Sequence, residues 1–91
     1  MKYRQQFEQG RETKFKILEA GLALWPNATP SAIAKMIGVK HSTVLYHFPN
    51  VKDAVAKYAI QVKDKRVVAM LVLVGDPLVR DKSIDLDDIL K

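Results

Sequence analysis

Five side chains close together, Lys40, His41, Ser42, Thr43 and Tyr46, carry the most distinctive chemistry in this sequence. A histidine ring donates and accepts hydrogen bonds. The hydroxyls of Ser and Thr do either, and the Tyr phenol donates. Lys adds a positive charge. This set suits contact with base edges and phosphates in a nucleic acid better than bond-making. The Thr43 methyl and Leu45 add apolar surface of the kind that meets a thymine methyl. The parts for catalysis are missing. There is no Cys, hence no thiol nucleophile, no disulfide and no Cys-ligated zinc. His41 and His47 are six residues apart and point to different sides, which is wrong for a metal pair. No Gly-rich phosphate loop and no triad is present. The expectation is a protein that is not an enzyme and needs no cofactor and no metal.

The elements that must position these groups lie between Pro30 and Pro49, PSAIAKMIGVKHSTVLYHFP. Ile33, Ala34 and Ile37 form an apolar face at helical spacing. Thr29 is placed to cap this helix, with Pro30 at its first position, where a missing N–H costs nothing. Gly38 ends it, because glycine accepts a left-handed backbone. Val39 follows as a buried plug, and a second helix is predicted from about His41 to Phe48. Counted from Pro30, Ala34, Gly38 and Val44 stand at positions 5, 9 and 15, the spacing of a DNA-binding helix-turn-helix. Ala34 is small where the helices cross, Gly38 turns the chain, and Val44 packs back. With Val44 inward, a turn of roughly 100° per residue puts Ser42 and Tyr46 outward and Phe48 on the core side. Lys40 and His41 sit at the end that enters a major groove first. Lys35 on the first helix and Lys52 at the start of the next complete the candidate DNA-binding set. Each member has a plainer role open to it. Ser42 and Thr43 are also suited to capping, Tyr46 to covering a neighbour, and both lysines to plain solvation. His47 reads as a packing residue.

The segment GVKHSTVLYHFPNVKDAV resembles the N-terminal DNA-binding domain of the tetracycline-repressor family. Gly38, Val39, Thr43, Val44, His47, Phe48 and Lys52 match its pattern, whereas the usual Tyr two residues after the Thr is Leu45. The loop after the first helix is shorter than is usual there, and the stretch after Phe48 one residue longer. A second resemblance is to the C-terminal domain of the bacterial replication initiator. His41-Ser42-Thr43-Val44-Leu45 is similar to its box-recognising segment, with Lys40 where an Asp is usual. Both resemblances imply that Lys40 to Tyr46 face DNA, and they cover about half of the chain. The chain also resembles small phage-encoded proteins.

Around the motif, a first helix is expected from about Arg11 to Trp25, with Phe15, Leu18, Leu22 and Trp25 as its apolar stripe. Pro26 ends it. Asn50 caps a helix whose inner face is Val51, Val55, Tyr58 and Val62, with Asp53 as a partial capping box. Lys63-Asp64-Lys65-Arg66 is either a polar break or an exposed turn of one long helix. Val67 to Val74, VVAMLVLV, is apolar on every side and reads as a helix closed by Gly75. Ser83 caps a last amphipathic helix, Ile84 to Leu90, suited to be a lid over Val67–Val74 or a partner-binding tail. The fold class is therefore all-α: a three-helix helix-turn-helix core with one or two further C-terminal helices. Residues 1–10 are expected as a flexible basic arm, 11–62 as the DNA-binding domain, and 63–91 as a helical dimerisation or lid segment.

Charge agrees with a polyanionic partner. Residues 1–52 hold eight Lys or Arg against three Glu, whereas 53–91 hold seven against seven Asp. The surplus thus lies in the half with the motif. At 48% apolar and 27% charged, the chain has the composition of a folded domain. Its longest apolar run is eight residues, too short to span a bilayer, and the polar N-terminus is no signal peptide. A cytoplasmic protein with no membrane partner follows. About 40 residues after the motif leave no room for an inducer domain, so no small-molecule ligand is expected. Two functions fit. One is a sequence-specific regulator that binds double-stranded DNA. The other is a helix-turn-helix adaptor in assembly, replication or packaging that binds protein or non-specific DNA. A homodimer is expected, with Val67, Val68, Met70, Leu71 and Val74 at the interface. Two-fold pairing would set the motif helices roughly 34 Å apart on an inverted repeat.

Overall fold

The computed structural model describes residues 2–80 and 84–90, and these form six α-helices, one short 3-10 helix and no strand. The helices are α1 (Lys2–Leu24), α2 (Pro30–Ile37), α3 (His41–His47), α4 (Val51–Gln61), α5 (Lys65–Val74) and α6 (Leu86–Leu90). The 3-10 turn is Pro77–Arg80. The all-α expectation holds. No helix among the described residues is long and apolar enough to cross a membrane.

The helix starts follow side-chain capping. Thr29 Oγ1 accepts from the Ala32 N–H at 3.2 Å, with Pro30 leading α2. Asn50 accepts from Asp53 N–H and Asp64 from Val67 N–H, which start α4 and α5. Each bond satisfies an N–H that the first helical turn leaves without a partner. For α6 the cap is Asp85, whose carboxylate accepts from the Asp88 N–H at 3.1 Å. The helix accordingly begins at Leu86 and not at Ile84, while Ser83 lies outside the described residues.

Three helix ends share one device. Val39 N–H bonds to the Ala34 carbonyl, Asp64 N–H to Ala59, and Asp76 N–H to Leu71. In each, the residue before the donor takes a left-handed backbone: Gly38 at φ 75°, Lys63 at φ 57° and Gly75 at φ 68°. This is the Schellman closure, which satisfies carbonyls that have run out of helix. Lys63-Asp64 is thus a true break between α4 and α5.

α1 packs on α2 and α4, α2 on α3, α4 on α5, and α5 on α6 and the 3-10 turn. The buried core draws on all of them, with Ile17, Ile33, Val44, Val55, Val67, Val68 and Leu71 fully enclosed. Gly21 of α1 lies against Val55 of α4, so close that an added Cβ would stand 2.3 Å from a Val55 methyl. Arg66 closes the other end of α1: its guanidinium donates to the carbonyl oxygens of Leu22 and, at 3.3 Å, of Trp25.

Several expectations change. α1 starts at Lys2 and not at Arg11, so the helix takes in residues 2–10 as well. Phe15 is 56% exposed and not core. It precedes Ile17 by two residues, about 200° round the helix, and the line that packs runs through Ile17, Gly21 and Trp25. Its ring instead meets the edge of Tyr58, with centroids 6.5 Å apart. α3 closes at His47, one residue early, with Phe48 as its C-cap. Val62 caps α4 and is exposed, because the chain turns away there. Val67, Val68 and Leu71 are enclosed by the chain's own helices, so they are not available to a second copy. Met70 is half-buried and Val74 exposed.

Candidate nucleic-acid interface

The turn between α2 and α3 is set by a few small contacts. Ile33, Ala34 and Val44 are buried where the two helices pack. A Cβ on Gly38 would meet nothing within 4 Å, so the need for glycine there comes from its positive φ alone. With Val44 fully inward, the opposite side of α3 faces solvent. Lys40, His41 and Ser42 are exposed, Thr43 is half-buried, and Tyr46 is 83% exposed. The structure therefore brings together on one short helix the five residues singled out by their chemistry. Lys35 is exposed on α2. The Tyr46 ring leans edge-on against His47, centroids 5.4 Å apart, which holds it clear of the core.

Two alternative roles for these residues do not occur. α3 has Lys40 at its N-cap with no side-chain cap bond, so Ser42 and Thr43 are not capping it. Tyr46 covers no core neighbour, as its exposure shows.

Electrostatics favours an anion on this surface. From Pro26 to Asn50 the sequence has no Asp or Glu, while it has Lys35, Lys40 and two histidines. The carboxylates that pair with lysines lie elsewhere, as in Asp53–Lys57 on α4 and Asp88–Lys63 between α6 and the α4–α5 turn. The motif itself thus contributes cations and no carboxylate, which favours phosphates, and Glu19 of α1 lies beside Met36 and Ile37 at the end of α2.

Lys52 is placed differently from the rest. Its ammonium stands over the Trp25 ring, 5.8 Å from the centroid. There it edges a cavity lined by the ends of α1 and α5, with no α3 residue in the lining. Trp25 itself is 8% exposed, so it is a core residue and not a base-stacking one. Met36 has a residue type that marks no role in the motif. It is 56% exposed near the end of α2 and shares a shallow groove with Phe15 and Ile37. Its place after Lys35, off the Ile33–Ile37 face, is the one signal in the sequence.

Set against protein-family models, curated proteins and solved structures, the chain matches none of them. Among the described residues no group of His, Asp or Glu is arranged to hold a metal ion.

Proposed function

We propose that the protein binds double-stranded DNA through α3 and acts as a small sequence-specific regulator. The observation that carries this reading is the outer face of α3. A helix held by Val44 through a glycine turn presents Lys40, His41, Ser42 and Tyr46 outward with Thr43 half-buried beside them, in a segment, Pro26 to Asn50, that has no Asp or Glu. Lys40 and Lys35 supply phosphate contacts, which set affinity and register. His41, Ser42 and Thr43 supply groups that read base edges in a major groove, where each base pair shows a distinct donor and acceptor pattern. Tyr46 has a hydroxyl for a phosphate oxygen and a ring for a neighbouring sugar or methyl.

The test is selection from random-sequence duplex DNA, followed by sequencing of the retained pool. An enriched site supports the proposal. Salt-sensitive binding with no enrichment would instead mark an adaptor that takes DNA without sequence choice. At the enriched site, His41→Ala or Ser42→Ala should cost about 1–3 kcal/mol and flatten base preference. Affinity and preference both unchanged in His41→Ala would refute α3 as the reading helix.

A further inference from the structure

We propose that the chain pairs with a second copy of itself through the C-terminal end of α5, by a contact in which Leu73 and Val74 of each copy fill a cavity on the other. Leu73 is 84% and Val74 77% exposed. With Val72, 40% exposed, they make a run of exposed apolar side chains, and a contiguous apolar patch is the kind of surface that marks an interaction site. Leu73 and Val74 form part of the wall of a cavity of about 280 Å³, together with Trp25, Pro26 and Met70. The exposed apolar groups and the apolar hollow therefore belong to one continuous surface. A two-fold axis through that surface lays each projection into the other copy's hollow, which is the requirement of an isologous interface.

The charges point the same way. Lys52 and Asp76 both line this cavity. A two-fold pair can set each Lys52 against the other copy's Asp76, so the rim complements itself. A nucleic acid or an anionic membrane would call for a rim of one sign, and this one has both.

The chain's own last helix does not cover the patch. Asp88 of α6 is bound to Lys63 at 2.6 Å, just before α5 begins. Leu73 and Val74 are at the opposite end of α5, roughly 14 Å away at 1.5 Å per residue. Ile89 is already buried. The lid thus closes over the start of α5 and leaves its end for a partner.

Sedimentation equilibrium of the full chain, from about 1 to about 500 µM, tests the pairing. The expected result is a reversible monomer–dimer equilibrium. Leu73→Glu should weaken it by about thirty-fold or more, with an unchanged thermal midpoint, since the side chain is outside the core. Lys52→Asp and Asp76→Lys should each weaken the dimer, and the two together in one chain should restore most of the loss. A wild-type mass that stays monomeric throughout overturns the proposal. So does a dimer indifferent to Leu73→Glu, a doubly swapped chain no tighter than the single variants, or a mass that keeps growing beyond two copies.

Discussion

Replacing Gly21 by alanine should destabilise the protein, although the same change in an exposed helix interior would stabilise it by about 1 kcal/mol. Gly21 is buried where α1 crosses α4. An added Cβ would lie 2.3 Å and 3.0 Å from the two Val55 methyls, and 3.2 Å from the Val55 Cβ. Carbon atoms in contact prefer about 3.5–4.0 Å. Val55 is stiff at χ1 and fully buried, and its two methyls occupy both near positions, so rotation cannot clear them together. The helices must separate by more than about 1 Å, which places the cost near the upper end of the usual overpacking range of about 1–3 kcal/mol. Set against the propensity gain, the net loss is about 2 kcal/mol. For a domain of this size that lowers the thermal midpoint by roughly 10 °C. Circular dichroism melts and urea titrations of Gly21→Ala, Val55→Ala and the double variant measure it. Val55→Ala alone should cost about 2 kcal/mol. The pair should cost less than the sum, with a coupling of about 2 kcal/mol, because alanine at 55 makes room for the new methyl. A Gly21→Ala protein as stable as the parent, or costs that simply add, would refute the close crossing.

Arg66→Ala should cost about 1–2 kcal/mol, because it strips the guanidinium from the Leu22 and Trp25 carbonyls at the end of α1, and Arg66→Lys should recover only part in the same urea titration. Lys63→Gly should raise the midpoint of a thermal melt, since relief of the left-handed backbone outweighs an exposed ion pair with Asp88. At high pH the protein should lose stability. The Tyr58 pKa is raised above 10.0, first by the hydroxyl's bond to Glu19 and then by burial. The folded state therefore keeps that proton more tightly than the unfolded chain does. Its contribution is full below the ordinary tyrosine range and is lost as pH rises through the folded value. Lys63, raised by its hydrogen bond to Asp88, acts in the same direction. Denaturant titrations across this alkaline range should show a shallower fall for Tyr58→Phe.

Much of the motif was legible because each step rests on one residue's own chemistry. Thr29, Pro30, Gly38, Asn50 and Gly75 announce starts and stops through caps and left-handed turns that depend little on the rest of the fold. The outward face of α3 followed from Val44 and helical geometry alone. What could not be read depends on partners distant in sequence. Phe15 has the same spacing from Leu22 and Leu18 that a core residue would have, and only the line of approach of α4 decides that Ile17, Gly21 and Trp25 are covered instead. Lys63 ends α4 in a conformation that glycine usually takes, so no residue type signals the stop. Arg66 reads as a solvated charge until the end of α1 is placed beside it. The apolar run Val67–Val74 is uniform in sequence, yet α4 and α6 enclose one part and leave the other exposed.

No polar or charged residue is buried among the described ones, so no buried polar side chain helps to set the angle at which α3 leaves the core. That angle rests on Ile33, Ala34 and Val44 and on one glycine torsion. The groups that would contact DNA belong to a different set, as Lys40, His41, Ser42 and Tyr46 are exposed. Changes in the first set reposition the whole helix and act on every contact at once. Changes in the second alter one contact and leave the fold as it was, since exposed positions away from caps and packing shift stability by no more than about 0.5 kcal/mol. The outer face of α3 is thus free to vary in its chemistry, while the residues beneath it are constrained by shape.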